Sequence, residues 1–245
     1  CFRADIMQNL KEYAPDFIRF PGGCIVHGVN EATMYHWKKT IGPIENRPGQ
    51  WSKWAPYYRT DGIGYHEFYE LCEYLGADAM YVIPTGMICT GWVKQSSPWN
   101  FIQPDVDLDA YIQDALDLIE FANGDVRGKW GSLRAQMGHP QPFGLDMIAV
   151  GNEQWETQYL DLRYRYERFE AAIHAKYPEI RLLGTAGPFM ECSITEDAWK
   201  YYREKAKENP NFSYAVDEHY YVSPQWLYDH VAMYDDYPRD VAVFA

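Results

Sequence analysis

The chain is short of positive charge and lacks several familiar signatures. Lys and Arg number 22 against 35 Asp and Glu, a formal net charge of -13. Neutralising phosphates takes clusters of Lys and Arg, so the sequence argues against a nucleic-acid partner and against acidic membrane surfaces. A neutral substrate fits this charge best. No apolar run approaches the roughly 18 residues of a membrane span, so no membrane partner is expected. Cys1-Phe2-Arg3-Ala4-Asp5 leads into amphipathic sequence rather than an apolar stretch, and periplasmic, extracellular and cytoplasmic locations all stay open. No Gly-x-Gly-x-x-Gly and no Gly-Lys-Ser/Thr follows a strand-like run, which removes support for a nucleotide-binding fold. The Gly-x-Ser-x-Gly elbow of serine hydrolases is missing as well. The five cysteines (Cys1, Cys24, Cys72, Cys89 and Cys192) are odd in number and form no Cys-x-x-Cys, so buried thiols are expected rather than a disulfide scaffold or structural zinc. Cys24, His27 and His36 match no common zinc spacing, and the sequence calls for no metal or other cofactor.

Aromatic residues, by contrast, are plentiful at 17%, with 9 Trp and 21 Tyr. Such side chains stack on the apolar faces of sugar rings, and they equally fill a large core and its rim. With 47% hydrophobic residues over 245 positions, one sizeable core is expected.

Strand-like and helix-like segments alternate. The strand-like runs are Phe17–Phe20, Met80–Ile83, Met147–Val150, Ile180–Leu183, Tyr214–Val216 and Asp240–Ala245. Helical spacing covers 5–13, 65–75, 108–122, 160–177, 196–208 and 225–235. Asp107 is a candidate N-cap, and Ser193-Ile194-Thr195-Glu196 a candidate capping box. Repeated strand–helix units imply a parallel sheet with helices outside it. A doubly wound sheet is the alternative to a closed (β/α)8 barrel, which typically needs about 250 residues. Here the loops at 24–63 and 123–145 take up much of the length, and six strands result. Residues 1–245 therefore read as one catalytic barrel domain, truncated at both ends and incomplete, spanning about strands two to seven.

The polar residues concentrate where apolar runs end. Met147–Val150 stops at Gly151-Asn152-Glu153, an amide and a carboxylic acid at the end of a buried strand, where barrel enzymes carry catalytic groups. Gly-Asn-Glu alone also occurs by chance as a capped strand end. Phe17–Phe20 contains Arg19, suited to pair with a barrel carboxylate, and runs into Pro21-Gly22-Gly23-Cys24. Two-carboxylate glycosidases need a second acid, and in retaining ones it lies about 5–5.5 Å from the first. Asp217-Glu218-His219 ends another strand, and alternation puts Asp217 and His219 on one face and Glu218 on the other.

Several segments together resemble the α-L-arabinofuranosidases of glycoside hydrolase family 51. They are Arg19-Phe20-Pro21-Gly22-Gly23-Cys24, Trp37-Lys38-Lys39-Thr40-Ile41-Gly42-Pro43, Arg47-Pro48, Gly62-Ile63-Gly64-Tyr65-His66-Glu67-Phe68, Cys72-Glu73, Gly76-Ala77, Gly151-Asn152-Glu153 and His219-Tyr220-Tyr221. Their order matches the family's across nearly the whole chain. The resemblance implies a (β/α)8 TIM barrel followed by a β-sandwich that is absent from this chain. It also implies retaining hydrolysis of terminal α-L-arabinofuranosyl groups from arabinan, arabinoxylan or related saccharides. Glu153 falls on the acid/base, at the end of the fourth barrel strand, and Asn152 on the amide that binds the sugar 2-hydroxyl. Cys24 falls on a position lining the arabinose pocket, and Trp54, with Trp51 as the alternative, near a tryptophan contacting the leaving group. His219 and Tyr221 fall on the pair that supports the nucleophile, with Arg19 beside them. The nucleophile itself, a glutamate ending the seventh strand, is expected just beyond Ala245, and His27 stands near a position where related sequences often carry Glu. Homo-oligomers, hexamers in particular, occur in the family. Two other functions fit parts of the pattern: an endo-glycanase acting on xylan or β-glucan, and a sugar-binding fragment without turnover.

Overall fold

The computed structural model describes residues 2–52, 57–89, 100–102, 107–154, 159–187 and 193–244. In chain order the elements are α1 (Ala4–Tyr13), β1 (Phe17–Phe20), β2 (Gln50–Trp51), β3 (Tyr58–Arg59), α2 (Tyr65–Leu75), β4 (Asp78–Ile83), β5 (Met87–Cys89), β6 (Asn100–Ile102), α3 (Leu108–Asn123), α4 (Lys129–Gln136), β7 (Met147–Val150), α5 (Tyr159–Lys176), β8 (Arg181–Gly187), α6 (Ser193–Glu208), β9 (Ala215–Glu218), α7 (Pro224–Asp229) and β10 (Ala242–Phe244). Six strands form one parallel sheet in the order β1-β4-β7-β8-β9-β10. Each strand lies beside the next one in sequence, as in a singly wound barrel. A doubly wound sheet would reverse its order at a switch point. The sheet curls until Phe17 of β1 and Phe244 of β10 meet edge to face at 5.2 Å. This is the α/β architecture of an incomplete (β/α)8 barrel.

Both faces of the sheet are covered, which is why its strands read as continuous apolar runs. All four residues of β7 are buried. Met147 and Ala149 face inward, packed with Val26, Met80, Val82, Leu183 and Ala215. Ile148 and Val150 join the outer layer with Tyr65, Phe68, Tyr81, Phe121, Tyr166 and Phe169. Period-two alternation assigns each side chain to its layer, and each buried apolar side chain contributes roughly 1.5–3 kcal/mol.

The long segment after β1 is tied down by a buried ion pair. Arg47 meets both carboxylate oxygens of Glu67, at 2.8 and 2.7 Å. Glu67 also accepts from the Gly64 amide at 2.9 Å, capping α2 at its start. Asp107 caps α3 as expected, accepting from the amides of Asp109 and Ala110.

Several boundaries differ from the sequence expectation. The 24–63 segment contains the β2–β3 hairpin, and a second hairpin, β5–β6, follows β4. Helix α6 begins at Ser193 itself, so Ser193 is its first residue rather than a cap. Helix α7 stops at Asp229, and the rest of that expected helix is a 3-10 turn at Met233–Asp236. The 123–145 loop holds α4, whose Arg134 is fully buried. Its guanidinium donates to the carbonyls of Phe121 (2.6 Å), Ala122 (3.1 Å) and Gly124 (2.8 Å), and to those of His139 and Pro140. A cation thus satisfies the open carbonyls at the carboxyl end of α3, where the helix dipole also favours positive charge.

Replacing this side chain with an apolar one of similar reach removes all five donations at once and leaves the buried Phe121 carbonyl without this donor, while Ala122 keeps only the Phe143 amide at 2.8 Å. Arg134→Met is expected to lower unfolding free energy by about 3 kcal/mol or more, read as a shift in the urea midpoint at unchanged slope. An unmoved midpoint would remove Arg134 from the account of how α4 docks.

Candidate active site

Three strand ends meet at the carboxyl face of the sheet. From β1 the chain passes through a cis Phe20–Pro21 peptide and Gly22, whose φ of 132° suits only glycine. A Cβ on Gly23 would sit 3.5 Å from the Asn152 side chain, so this turn approaches the end of β7 closely. Cys24 then opens a tight turn, with the His27 and Gly28 amides donating to its carbonyl. At the end of β7, Gly151 takes φ 81° and Glu153 takes φ 49°. The left-handed region is uncommon for a residue with a side chain, and at Glu153 it costs about 1 kcal/mol that its surroundings must offset. From β9 come Asp217, turned inward, and His219 just beyond the strand.

These residues form one connected network. Arg19 Nη2 donates to Asn152 Oδ1 at 2.8 Å and to Asp217 Oδ2 at 3.0 Å, and its Nη1 donates to the Gly22 carbonyl at 2.9 Å. His219 bridges two carboxylates, with Nδ1 2.9 Å from Glu153 Oε1 and Nε2 3.2 Å from Asp217 Oδ1. The Cys24 thiol donates to Glu153 Oε2 at 3.0 Å. Cys24 Sγ in turn accepts from the Cys89 thiol at 3.2 Å and from Asn152 Nδ2 at 3.6 Å. His27 Nε2 lies 2.8 Å from the Asn152 carbonyl oxygen and 3.3 Å from the Asn152 amide.

The geometry dictates the charges. Both ring nitrogens of His219 face carboxylate oxygens, so the imidazolium is favoured. Burial opposes that charge, but Asp217 and Glu153 outweigh it and push the His219 pKa up to about 9. Burial likewise opposes ionisation of Glu153, yet the hydrogen bonds from His219 and Cys24, with the nearby His219 and His27 charges, hold its carboxyl below the usual glutamate value. The hydrogen bond to Cys89, burial and the Glu153 charge all push the Cys24 thiol up, so it stays a protonated donor and is no nucleophile. Asp217 has both oxygens engaged, which makes it a counter-ion to Arg19 and His219 rather than a free attacking group.

Of the residues marked in the sequence, the structure brings together Arg19, Cys24, Asn152, Glu153 and His219. Tyr221 is not among them: it is 86% exposed. Regular alternation ends with β9 at Glu218, and the backbone beyond follows no strand period. It is Tyr220 that is engaged, and on the outer side, where its hydroxyl and those of Tyr237 and the Trp199 indole surround the buried Glu218 carboxylate. Trp54 lies outside the described residues, and Trp51 on β2 is 58% exposed. His36 sits apart, against Glu31 at 3.2 Å. Two contacts went unread in the sequence: Cys89 behind Cys24, and His27 behind Asn152. Neither has a local signature, since each depends on segments far apart in the chain. Two surface cavities, about 450 Å³ between α5 and α6 and about 540 Å³ between α1 and α2, contain none of these residues.

The His219 bridge has a pH consequence. A group whose folded pKa lies above its unfolded value stabilises fully below the unfolded value, about 6.5, and loses that contribution as pH rises through the folded value. The stability gap between wild type and His219→Asn is therefore expected to be largest near pH 6 and to shrink as pH passes about 9. Thermal melts across pH 5–10 measure it, and a gap that widens with pH would contradict the bridge.

Comparison with known proteins agrees with this architecture. The model of the alpha-L-arabinofuranosidase 1 domain matches residues 9–239. An extracellular exo-alpha-L-arabinofuranosidase of Streptomyces chartreusis is 37% identical over 249 residues, covering 97% of this chain and 28% of its own length. Alpha-L-arabinofuranosidase 1 of Arabidopsis thaliana is 40% identical over 182 residues, covering 74% of this chain and 25% of its own length. Among solved structures, an arabinose-bound GH51 α-L-arabinofuranosidase superposes with a TM-score of 0.78 at 31% identity, covering 99% of this chain and 35% of that one. The chain thus spans about a third or less of the length of these relatives. On the match to its domain model over residues 9–239, the chain belongs to the alpha-L-arabinofuranosidase 1 domain family.

Proposed function

We propose that residues 1–245 are catalytic barrel sequence and that the complete protein removes terminal α-L-arabinofuranosyl groups from arabinose-containing saccharides with retention of configuration. The observation that carries this reading is the placement of Glu153. Its carboxylate stands on the carboxyl face of the sheet between two donors, beside the Asn152 amide. In this mechanism a second carboxylate attacks the anomeric carbon while Glu153 protonates the leaving oxygen, and Glu153 then deprotonates the water that releases the sugar. The attacking group is expected at the end of the strand that begins as β10, because Asp217 already has both oxygens engaged. Asn152 would hold the 2-hydroxyl, with Cys24 lining the sugar pocket.

The resting network suits the second step as it stands, since it keeps Glu153 ionised. For the first step the acid must hold a proton. A second carboxylate arriving near Glu153 and His219 supplies like charge, which raises the Glu153 pKa and shares the imidazolium. In this account the nucleophile also tunes its partner acid.

In the full-length protein, Glu153→Ala is expected to cut kcat/KM by about 10²–10⁴-fold on arabinofuranosides with poor leaving groups. Glycosylation by activated aryl arabinofuranosides, which need no protonation, should survive. Steady-state and burst kinetics on the two substrate classes measure the split. Equal turnover by wild type and variant on both classes would remove Glu153 from the role. Cleavage within xylan or β-glucan chains, with no release of arabinose, would replace the substrate assignment.

A further inference from the structure

His27 is the one fully buried histidine pressed against the β7 end among the described residues, and the chemistry above makes no use of it. Its environment is specific. The side chain rises from the turn that Cys24 opens and reaches the backbone of Asn152, 125 residues away in sequence. A single nitrogen, Nε2, lies 2.8 Å from the Asn152 carbonyl oxygen and 3.3 Å from the Asn152 amide nitrogen. Asn152 sits between two left-handed residues, Gly151 at φ 81° and Glu153 at φ 49°. A Cβ on Gly151 would fall 2.2 Å from the Gln154 side chain, so the turn is also tightly packed from within. A strained peptide of this kind persists only where its surroundings over-determine it.

We propose that His27 is a positioning residue for the reaction: it fixes the Asn152 peptide so that Asn152 and Glu153 present their side chains to the sugar together. The inference rests on the arabinofuranosidase reading for its kinetic consequence, though not for its structural one. Protonated at Nε2, the imidazole donates to the Asn152 carbonyl and holds the peptide plane from one side. From the other side the Asn152 amide side chain is held by Arg19 at 2.8 Å. The following residue, Glu153, is then delivered to His219 and Cys24 in a turn geometry that lets both of its oxygens find donors. Without His27 the peptide is free to relax toward ordinary φ values, and the carboxylate swings away. A displacement of about 1 Å at a reacting group can cost about 10²-fold in rate.

The test compares two replacements of similar bulk in the full-length protein. Gln can place an amide nitrogen where Nε2 stands, whereas Leu fills the space with no hydrogen bond. His27→Gln is expected to keep kcat/KM on an aryl α-L-arabinofuranoside within about tenfold of wild type, and His27→Leu to lose about 10²-fold. The loss should fall mainly on kcat, and more heavily on substrates with poor leaving groups. Titration of the Glu153 carboxyl by NMR should move to higher pH in His27→Leu, and less so in His27→Gln, because a carboxylate that swings away loses the donors His219 and Cys24. The Asn152 amide hydrogen should also exchange faster. If Gln and Leu variants perform alike, or if neither the Glu153 titration nor the Asn152 exchange moves in the folded Leu variant, the positioning role is overturned. Should wild type hydrolyse no arabinofuranoside, the functional reading fails by itself, and the titration and exchange still decide the role of His27.

Discussion

The guanidinium of Arg19 is the interaction on which the site depends. It stands inside the curled sheet on β1 and donates at once to Asn152 at the end of β7 and to Asp217 at the end of β9. An unpaired cation at this depth would be costly, and so would Asp217 without it. Together they neutralise each other and pin three strand ends that are far apart in sequence. His219 takes the other oxygen of Asp217 and passes its second N–H to Glu153. The acid thus inherits its position, through two bridges, from an arginine on the first strand of the sheet.

This chain of dependence explains why the carboxyl face of the sheet is so polar on so apolar a frame. One layer inward from the network lie Met80, Val82, Met147, Ala149, Leu183 and Ala215, small or flexible apolar side chains that fill the barrel interior. Within the network the formal charges of Arg19, His219, Asp217 and Glu153 cancel. The net charge of -13 is therefore not concentrated here.

Much of the frame was legible in the sequence, for a physical reason. Strands buried on both faces must be apolar at every position, so Met147–Val150 announced itself, as did the abrupt change at Gly151. Asp107 was recognisable because an N-cap is a local interaction. Elements held by distant partners were not recognisable. Helix α4 has little apolar stripe of its own and is anchored by Arg134 to carbonyls of another helix. The small hairpins owe their pairing to neighbours that no period reveals. In the site, Arg19 stood within an apolar run, and Asn152, Glu153 and His219 stood within three residues of where one stops, so the abrupt change in composition marked them. Tyr221 stood past the end of β9, where alternation no longer applies, and it lies in solvent. The contacts of His27 and Cys89 needed the folded chain.

The most direct measurement of the central claim is a crystal structure of the complete protein with arabinose bound. The sugar is expected on the carboxyl face of the sheet, with the Asn152 amide on a ring hydroxyl and a Glu153 oxygen within about 3.2 Å of the anomeric oxygen. The Arg19 bridge to Asn152 and Asp217 should be intact in that structure. Arabinose seated away from Glu153, or Arg19 withdrawn from both partners while the sugar is bound, would contradict it.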